Sequence, residues 1–392
     1  ISNSVTFMQE DSDNETNLKN KLKEIVLNIS KRLIHQNLEG NNISLQIEEN
    51  VMIKNLVTMR IGGPAKFVIT VTDKEEIPEA YKFAKERNLP VWVLGGGANT
   101  FSKDEGFEGV IILDRIMGIS QIETPAGEEE KEGVAYFKAY GGEQWDDLVT
   151  FVSERGYSGI EAMAGIPGTA GAAPVQNIGA YGQEVTQVIV SVEAYDTKLE
   201  EFVVVPASEM KMSYRKSIFN SGENVGRYFI YSTTIRVEKG QLNPPFYRSL
   251  QTYVDEHGET DFSPLNIARM VKEVRNSKLP DPDKIASAGS FFKNVYLTDE
   301  EADEAEARGI QVWRNAKEVG PDSPEKRTNL VNSGWLIEEA GLKGKVFHGM
   351  KVSEKAALIL INESAESYAD LAAAREEIAK IVFDKFGFKI EQ

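Results

Sequence analysis

The stretch GIEAMAGIPGTAGAAPVQNIGAYGQEV, residues 159–185, decides how the rest of the chain is read. It combines glycines, a proline and small residues with the polar pair Gln176–Asn177. A loop of this length and composition does not hold itself together by apolar packing. Its small side chains suit close approach to a large flat ligand. The competing reading is an irregular core crossing packed by small residues, and the loop alone leaves both open.

A second glycine run, LGGGANT at 94–100, follows the apolar PVWV. Glycines there permit positive φ and let backbone N–H groups converge on an anion. Thr100 stands where the last glycine of G-x-G-x-x-G would fall, so a Rossmann nicotinamide site is not supported. Around these loops the pattern alternates. AKFVITVT reads as a strand, KEEIPEAYKFAKERN as a helix, PVWVLGGG and GVIIL as buried strands. VAYFKAYGG and WDDLVTFVSERG repeat strand then helix, and QVIVSVEAYD, EEFVVVP and YFIYSTTIRVE alternate as antiparallel strands. From about 258 the chain turns helical through NIARMVKEVRNSK. A last region carries WLIEEAGLKG, AALILIN and the long helix SYADLAAAREEIAKIVFDKFG. Near the start, 18–38 shows Leu, Ile and Val at helical spacing and predicts an amphipathic helix after a polar, mobile 1–17.

Composition bounds the chemistry. A chain of 392 residues predicts two or three domains. With no cysteine, disulfides, thiolate metal sites and a cysteine nucleophile are excluded, and a cytoplasmic location is expected. His35, His257 and His348 lie far apart, against a His-rich metal site, and no metal is expected. The net charge of −17 argues against nucleic acid as a partner, while a few cations in one pocket still hold a diphosphate. Much of the acid sits in GEEEKEG (127–133) and TDEEADEAEA (298–307), read as a solvated loop and a solvated helix face. No apolar run reaches the roughly 18 residues of a membrane helix. The N-terminus lacks the order of a signal peptide and an initiator methionine, which reads as a fragment or processed product.

GSFFKN, 289–294, sets Ser290 between a glycine and two phenylalanines. Taken alone it reads as a turn into a buried strand, with the hydroxyl bonded to backbone.

TMRIGGPAKFV, VLGGGANT, the 159–185 loop, YRKSIFN, RNSKLPDP, ASAGSFFKN, SGWLIEEAGLKG and ALILIN occur in the order and spacing of one family. From about Asn55 onward the chain resembles the UDP-N-acetylenolpyruvoylglucosamine reductases. The resemblance implies an α+β chain: a two-part FAD-binding domain of the vanillyl-alcohol-oxidase type and a C-terminal α+β substrate domain. The expected divisions are an extension at 1–48, FAD subdomains at 49–115 and 116–278, and a substrate domain at 279–379, with 380–392 returning to the first subdomain. It implies non-covalent FAD, since no histidine falls in a glycine loop, NADPH as reductant, and a monomer acting on UDP-N-acetylglucosamine enolpyruvate.

The FAD contacts it implies are Arg60, Ile61 and Gly62; Gly95, Gly96, Gly97, Ala98 and Asn99; Gly165, Ile166, Pro167, Gly168, Thr169 and Gly171; and Asn177, Gly179, Ala180 and Tyr181. Ser290 matches the family's proton donor, with Gly289 giving access and the phenylalanines excluding water. Arg215 matches the catalytic arginine. Tyr214, Tyr247, Arg275, Lys278 and Asn294 match substrate contacts, the Arg275–Lys278 pair gripping the diphosphate.

The chain departs from the family in three places. Ala98 stands where LGGGANT usually has serine. The family's terminal L-E-x-E-V has a second glutamate that completes the site; here the chain ends FKIEQ, and Glu391 matches only the first. The residues before Leu56 exceed what the family needs. Two other readings use the same motifs. One is a flavin oxidoreductase for a hydroxy acid or sugar, which needs no diphosphate grip. The other is a non-catalytic FAD or nucleotide-sugar binder, motivated by the missing glutamate.

Overall fold

The computed structural model describes residues 33–37, 44–282, 284–315 and 328–392, with 33–37 as backbone only. The first unit is a five-stranded sheet in the order β1-β2-β3-β5-β4. Its strands are β1 (Leu33–Asn37), β2 (Ser44–Met52), β3 (Pro64–Val71), β4 (Val91–Leu94) and β5 (Phe107–Asp114). β2 runs antiparallel to β3, while β3, β5 and β4 are parallel. The crossover between β3 and β4 is helix α1 (Glu76–Glu86), which buries Ile77, Ala80, Phe83 and Ala84 at helical spacing. The helix expected at 18–38 is corrected over its last residues: Leu33–Asn37 is a strand paired antiparallel with β2. Backbone pairing along a ready sheet edge outweighs apolar spacing there. Residues 18–32 and 38 lie outside the described part.

The second unit is built on β6 (Ile119–Ile122), β7 (Val134–Tyr140), β8 (Tyr157–Ser158), β11 (Ile189–Asp196), β12 (Glu201–Pro206) and β13 (Tyr228–Lys239). They form one antiparallel sheet, β12-β11-β13-β7-β6, with β8 also on β13. Between β8 and β11 the glycine-rich stretch makes two single 3-10 turns (Glu161–Met163 and Val185–Gln187) and a two-stranded ribbon, β9 (Gly179–Ala180) with β10 (Gln183–Glu184). Helices α2 (Trp145–Glu154), α3 (Arg248–His257) and α4 (Pro264–Lys278) accompany this sheet, and residues of all three join its core with Trp145 fully buried. Helix α3 precedes the expected helical onset near 258. Only Leu250 and Val254 of it are buried, so its apolar stripe is short, and Gly258 ends it in the left-handed conformation.

The third unit holds β14 (Ser287–Ser290), β15 (Val295–Leu297), helix α5 (Asp299–Ala307), β16 (Asn329–Val331), helix α6 (Ser333–Glu339), β17 (Val346–Phe347), β18 (Met350–Val352), β19 (Ile359–Asn362) and helix α7 (Tyr368–Phe386). Its sheet runs β14-β19-β18-β17, and β15 pairs with β16. The segment 380–392, expected to return to the first subdomain, shares one core cluster with Met59 and Ile61 of that unit and with residues of the third unit. Arg308 binds the Phe386 carbonyl, the Lys293 amide donates to the Glu391 carbonyl (2.7 Å), and Ile390 lies in that shared core. The start of α7 makes a further contact with the first unit: Asp104 accepts the amides of Tyr368 (2.6 Å) and Ala369 (3.2 Å). Among the described residues no helix is long and apolar enough to cross a membrane.

Candidate active site

The two glycine loops lean closely on each other. A Cβ on Gly95 would stand 2.6 Å from Thr169 Oγ1, and one on Gly96 would stand 3.1 Å from the Gly168 Cα. Gly97 holds φ +63°, and its Cβ would stand 2.3 Å from the Leu56 carbonyl, so only glycine fits. Asn99 Nδ2 donates to Gln176 Oε1 at 3.2 Å, joining the loops a second time. Behind them the longer loop is pinned to the α2 end of β7. The amides of Ala170 and Gly171 donate to the Glu143 and Gly141 carbonyls (2.8 and 3.0 Å), and the Trp145 amide donates to the Gly168 carbonyl (3.0 Å). Ile61 is buried beside them and accepts the Ser102 amide (3.3 Å), with Gly62 at φ +149° and Arg60 exposed at φ +57°.

Thr169 is 2% exposed, and its hydroxyl has no hydrogen-bond partner among the described residues. A buried orphan hydroxyl costs stability unless something pairs with it. Here it lies between two loops stripped of side chains, a fit for the polar part of a bound FAD. Gly95, Gly96, Gly97, Ala98, Asn99, Gly168 and Thr169 would hold that part by backbone and hydroxyl.

The ribbon after this loop carries the next cluster. Asn177, at φ +45° and buried, spends its side chain on structure: Nδ2 donates to Glu184 (3.1 Å) and to the Ser213 carbonyl (3.2 Å), and Oδ1 accepts the Thr186 amide (3.0 Å). Its carbonyl receives Arg215 Nη1 at 3.1 Å, and Nη2 lies 3.5 Å from the Gly179 carbonyl. Arg215 is thus aimed by the loop, with Tyr214 beneath its guanidinium at 5.0 Å. Tyr214 meets Tyr296 of the third unit edge to face at 5.5 Å. Ala180 pairs with Gln183, which leaves Tyr181 in the turn at φ +50°.

Tyr181 links this cluster to the next. Its ring meets the exposed Tyr247 at 5.6 Å, edge to face. Burial raises its phenol above the ordinary range, the positive charge of Arg275 pulls it back, and Tyr247 adds to the rise. Arg275 Nε donates to the Gly165 carbonyl at 3.2 Å, while the Gly165 amide donates to Asp146 (2.7 Å). Burial holds the Arg275 guanidinium below its ordinary range, opposed by Tyr181 and Asp146, and it stays charged because arginine titrates so far above neutrality. Lys278, one turn on at the end of α4, is exposed. Ile166 is half-buried and Pro167 exposed beside Gly165.

Ser290 is exposed at the end of β14, opposite Ile359 of β19. The strand ends at Ser290 instead of starting after it, which corrects the turn-then-strand reading. Phe291 and Phe292, next in sequence, are buried in the core of the third unit. Phe291 stacks on Phe101, next to LGGGANT, at 6.0 Å. Asn294 Oδ1 accepts the Ser333 amide (3.2 Å).

Thr58 escaped the sequence reading although it lies in TMRIGG. Its hydroxyl is 2.6 Å from the Ser287 carbonyl and 3.2 Å from that of Ala98, partners remote in sequence that no local pattern signals. Glu161 was missed too. Fully buried, it accepts from Ser158, from the Gly159 amide (2.6 Å) and from Gln183 Nε2 (3.2 Å), bracing the loop against its ribbon.

Residues 65–201 match the family described as FAD binding domain, and residues 281–392 match that described as UDP-N-acetylenolpyruvoylglucosamine reductase, C-terminal domain. A UDP-N-acetylenolpyruvoylglucosamine reductase of Burkholderia orbicola is 34% identical over 340 residues, covering 85% of this chain and 92% of the relative. The chain belongs to that reductase family. A second member, from Bdellovibrio bacteriovorus, is 33% identical over 347 residues, covering 88% of this chain and 98% of its own. The crystal structure of the Thermus caldophilus reductase shares the fold at TM-score 0.55 and 22% identity, covering 88% of this chain and 97% of that one. This member of the reductase family is a flavin-dependent oxidoreductase. It combines an FAD-binding domain with the C-terminal domain of that reductase family in an α+β chain.

Proposed function

We propose that the protein reduces the enolpyruvyl ether of UDP-N-acetylglucosamine to UDP-N-acetylmuramate, a peptidoglycan precursor, with NADPH as reductant. The observation that carries this reading is the exposed Ser290 hydroxyl, on a strand bonded at Ser287 to Thr58, which also contacts the glycine loop. Bound at the glycine loops, FAD would supply the hydride chemistry that links NADPH to the terminal vinyl carbon of the substrate.

Hydride addition leaves enolate-like charge on the substrate, and the adjacent carbon needs a proton. Ser290 delivers it as general acid and regains it from solvent. A serine hydroxyl is a weak acid, so fixed positive charge beside the developing anion is required. Arg215 supplies that charge, pre-aimed by the Asn177 and Gly179 carbonyls. Arg275 and Lys278 bind the diphosphate, and Tyr247 with Tyr214 covers the nucleotide sugar. With Oδ1 occupied by Ser333, Asn294 offers its amide N–H groups to the substrate.

Rapid-mixing measurement of the two half-reactions tests the assignment. In Ser290→Ala, NADPH reduces the flavin at the wild-type rate, while reoxidation by the enolpyruvyl substrate slows by about 10²–10⁴-fold. Undiminished reoxidation would remove Ser290 from the chemistry. A wild-type protein that binds FAD and reduces it, yet never passes hydride to this substrate, would overturn the substrate itself.

A further inference from the structure

We infer that Thr58 is a positioning residue that sets the Ser290 strand in register with the cofactor loop. The inference rests on the reading of Ser290 as proton donor. Thr58 is half-buried beyond β2 and touches two units at once. Its amide donates to the Gly97 carbonyl (3.1 Å), and its carbonyl accepts the Ser287 amide (3.2 Å). Its hydroxyl lies 2.6 Å from the Ser287 carbonyl, 3.2 Å from that of Ala98 and 3.5 Å from that of Gly97. A hydroxyl has one proton to give. The shortest distance assigns it to Ser287, so this bond spans the boundary between the FAD-binding unit and the strand of the donor.

Downstream, little is left for the backbone to choose. Ser287 and Ser290 both pair with β19, with an irregular step between them where Gly289 takes φ +72°. Past Ser290, the Phe291 amide is held by the Leu358 carbonyl at 2.9 Å. The donor therefore rides between one pin on Thr58 and one on β19. Asn362 adds a parallel tie, its Nδ2 on the Met59 carbonyl (3.1 Å) and its amide on the Ala286 carbonyl (2.8 Å). Thr58→Val keeps shape and both backbone bonds but leaves the Ser287 carbonyl without its hydroxyl partner. The pin at Ser287 loosens and Ser290 wanders relative to the flavin.

The test compares Thr58→Val and Thr58→Ser with wild type. Hydrogen–deuterium exchange is measured on the FAD-loaded and FAD-free chains, and both half-reactions are timed. In Thr58→Val we expect faster exchange across 286–291 and FAD affinity within about threefold of wild type. Flavin reduction by NADPH should stay near wild type, while substrate-driven reoxidation slows about 10–100-fold, since misplacement by about 1 Å costs that order. Thr58→Ser restores both exchange and rate. Unchanged exchange at 286–291, or equal slowing of the two half-reactions, would overturn the inference. The two readings fail separately. If Ser290→Ala reoxidises normally while Thr58→Val still loosens 286–291, the donor assignment falls and the structural coupling stands.

Discussion

At the scale of the residue, Asp114 and Asp196 are both buried at strand ends and answer burial in opposite ways. Asp196 takes Arg227 Nε on both oxygens (2.9 and 3.0 Å), and the guanidinium holds its carboxyl below the usual range despite burial. Asp114 accepts the Ile116 amide at 3.0 Å, but burial dominates and pushes it up to about 7, opposed by that amide and by Arg115. Because the folded value lies above the unfolded one, Asp114 contributes stability below the ordinary carboxylate range. That contribution is lost as pH rises through about 7. Asp114→Asn keeps an acceptor for Ile116 and removes the titration. Thermal melts from pH 4 to 8 should show the wild type losing ground to the variant, by a few kcal/mol at most. A Cβ on Gly141 would fall 2.2 Å from Asp114 Oδ2, and Gly141 carries the amide of Gly171 in the flavin loop.

At the scale of the element, hydrophobic period was a good guide. The spacing in KEEIPEAYKFAKERN and SYADLAAAREEIAKIVFDKFG predicts α1 and α7, and Thr298 with Glu301 builds the capping box of the acidic helix α5. Period failed at Leu33–Asn37, where pairing with β2 prevails, and at α3, whose buried face is only Leu250 and Val254. Helix α7 also shows what period cannot reach. Its own Ser367–Asp370 box caps it, yet Asp104, beyond the cofactor loop, takes two more amides at the same end. Asp104→Ala should leave helix content unchanged by circular dichroism, because the local cap remains. It should lower the melting temperature by the equivalent of about 1 kcal/mol and speed exchange at 367–371. Loss of helix signal would mean that Asp104 nucleates α7 and does more than dock it.

At the scale of the whole molecule, the chain carries an FAD-binding domain, and in our proposal the glycine loops hold the cofactor beside the Thr169 hydroxyl, which is buried and unpaired among the described residues. Folding and FAD binding are therefore linked by mass action. Adding FAD to about 100 times its dissociation constant should raise stability by about 2.7 kcal/mol. Hydrogen-exchange protection should appear first at 94–100 and 165–171. A melting temperature indifferent to FAD would contradict the cradle at those loops.

The sequence by itself determined most of the element pattern, the two glycine-rich loops and the family. Those rest on local facts: where side chains repeat, where only glycine fits, and which motifs follow which. It also named Arg215 and Ser290, but only by likeness to relatives. Tertiary structure decided what holds them. Arg215 is aimed by two carbonyls of a loop reached 36 to 38 residues earlier, and the Ser290 strand is pinned by Thr58 from 229 residues away. Closing the chain over such spans needs the cooperative packing of all three units. A hydroxyl's choice among the carbonyls of Ser287, Ala98 and Gly97 exists only once they have been brought together.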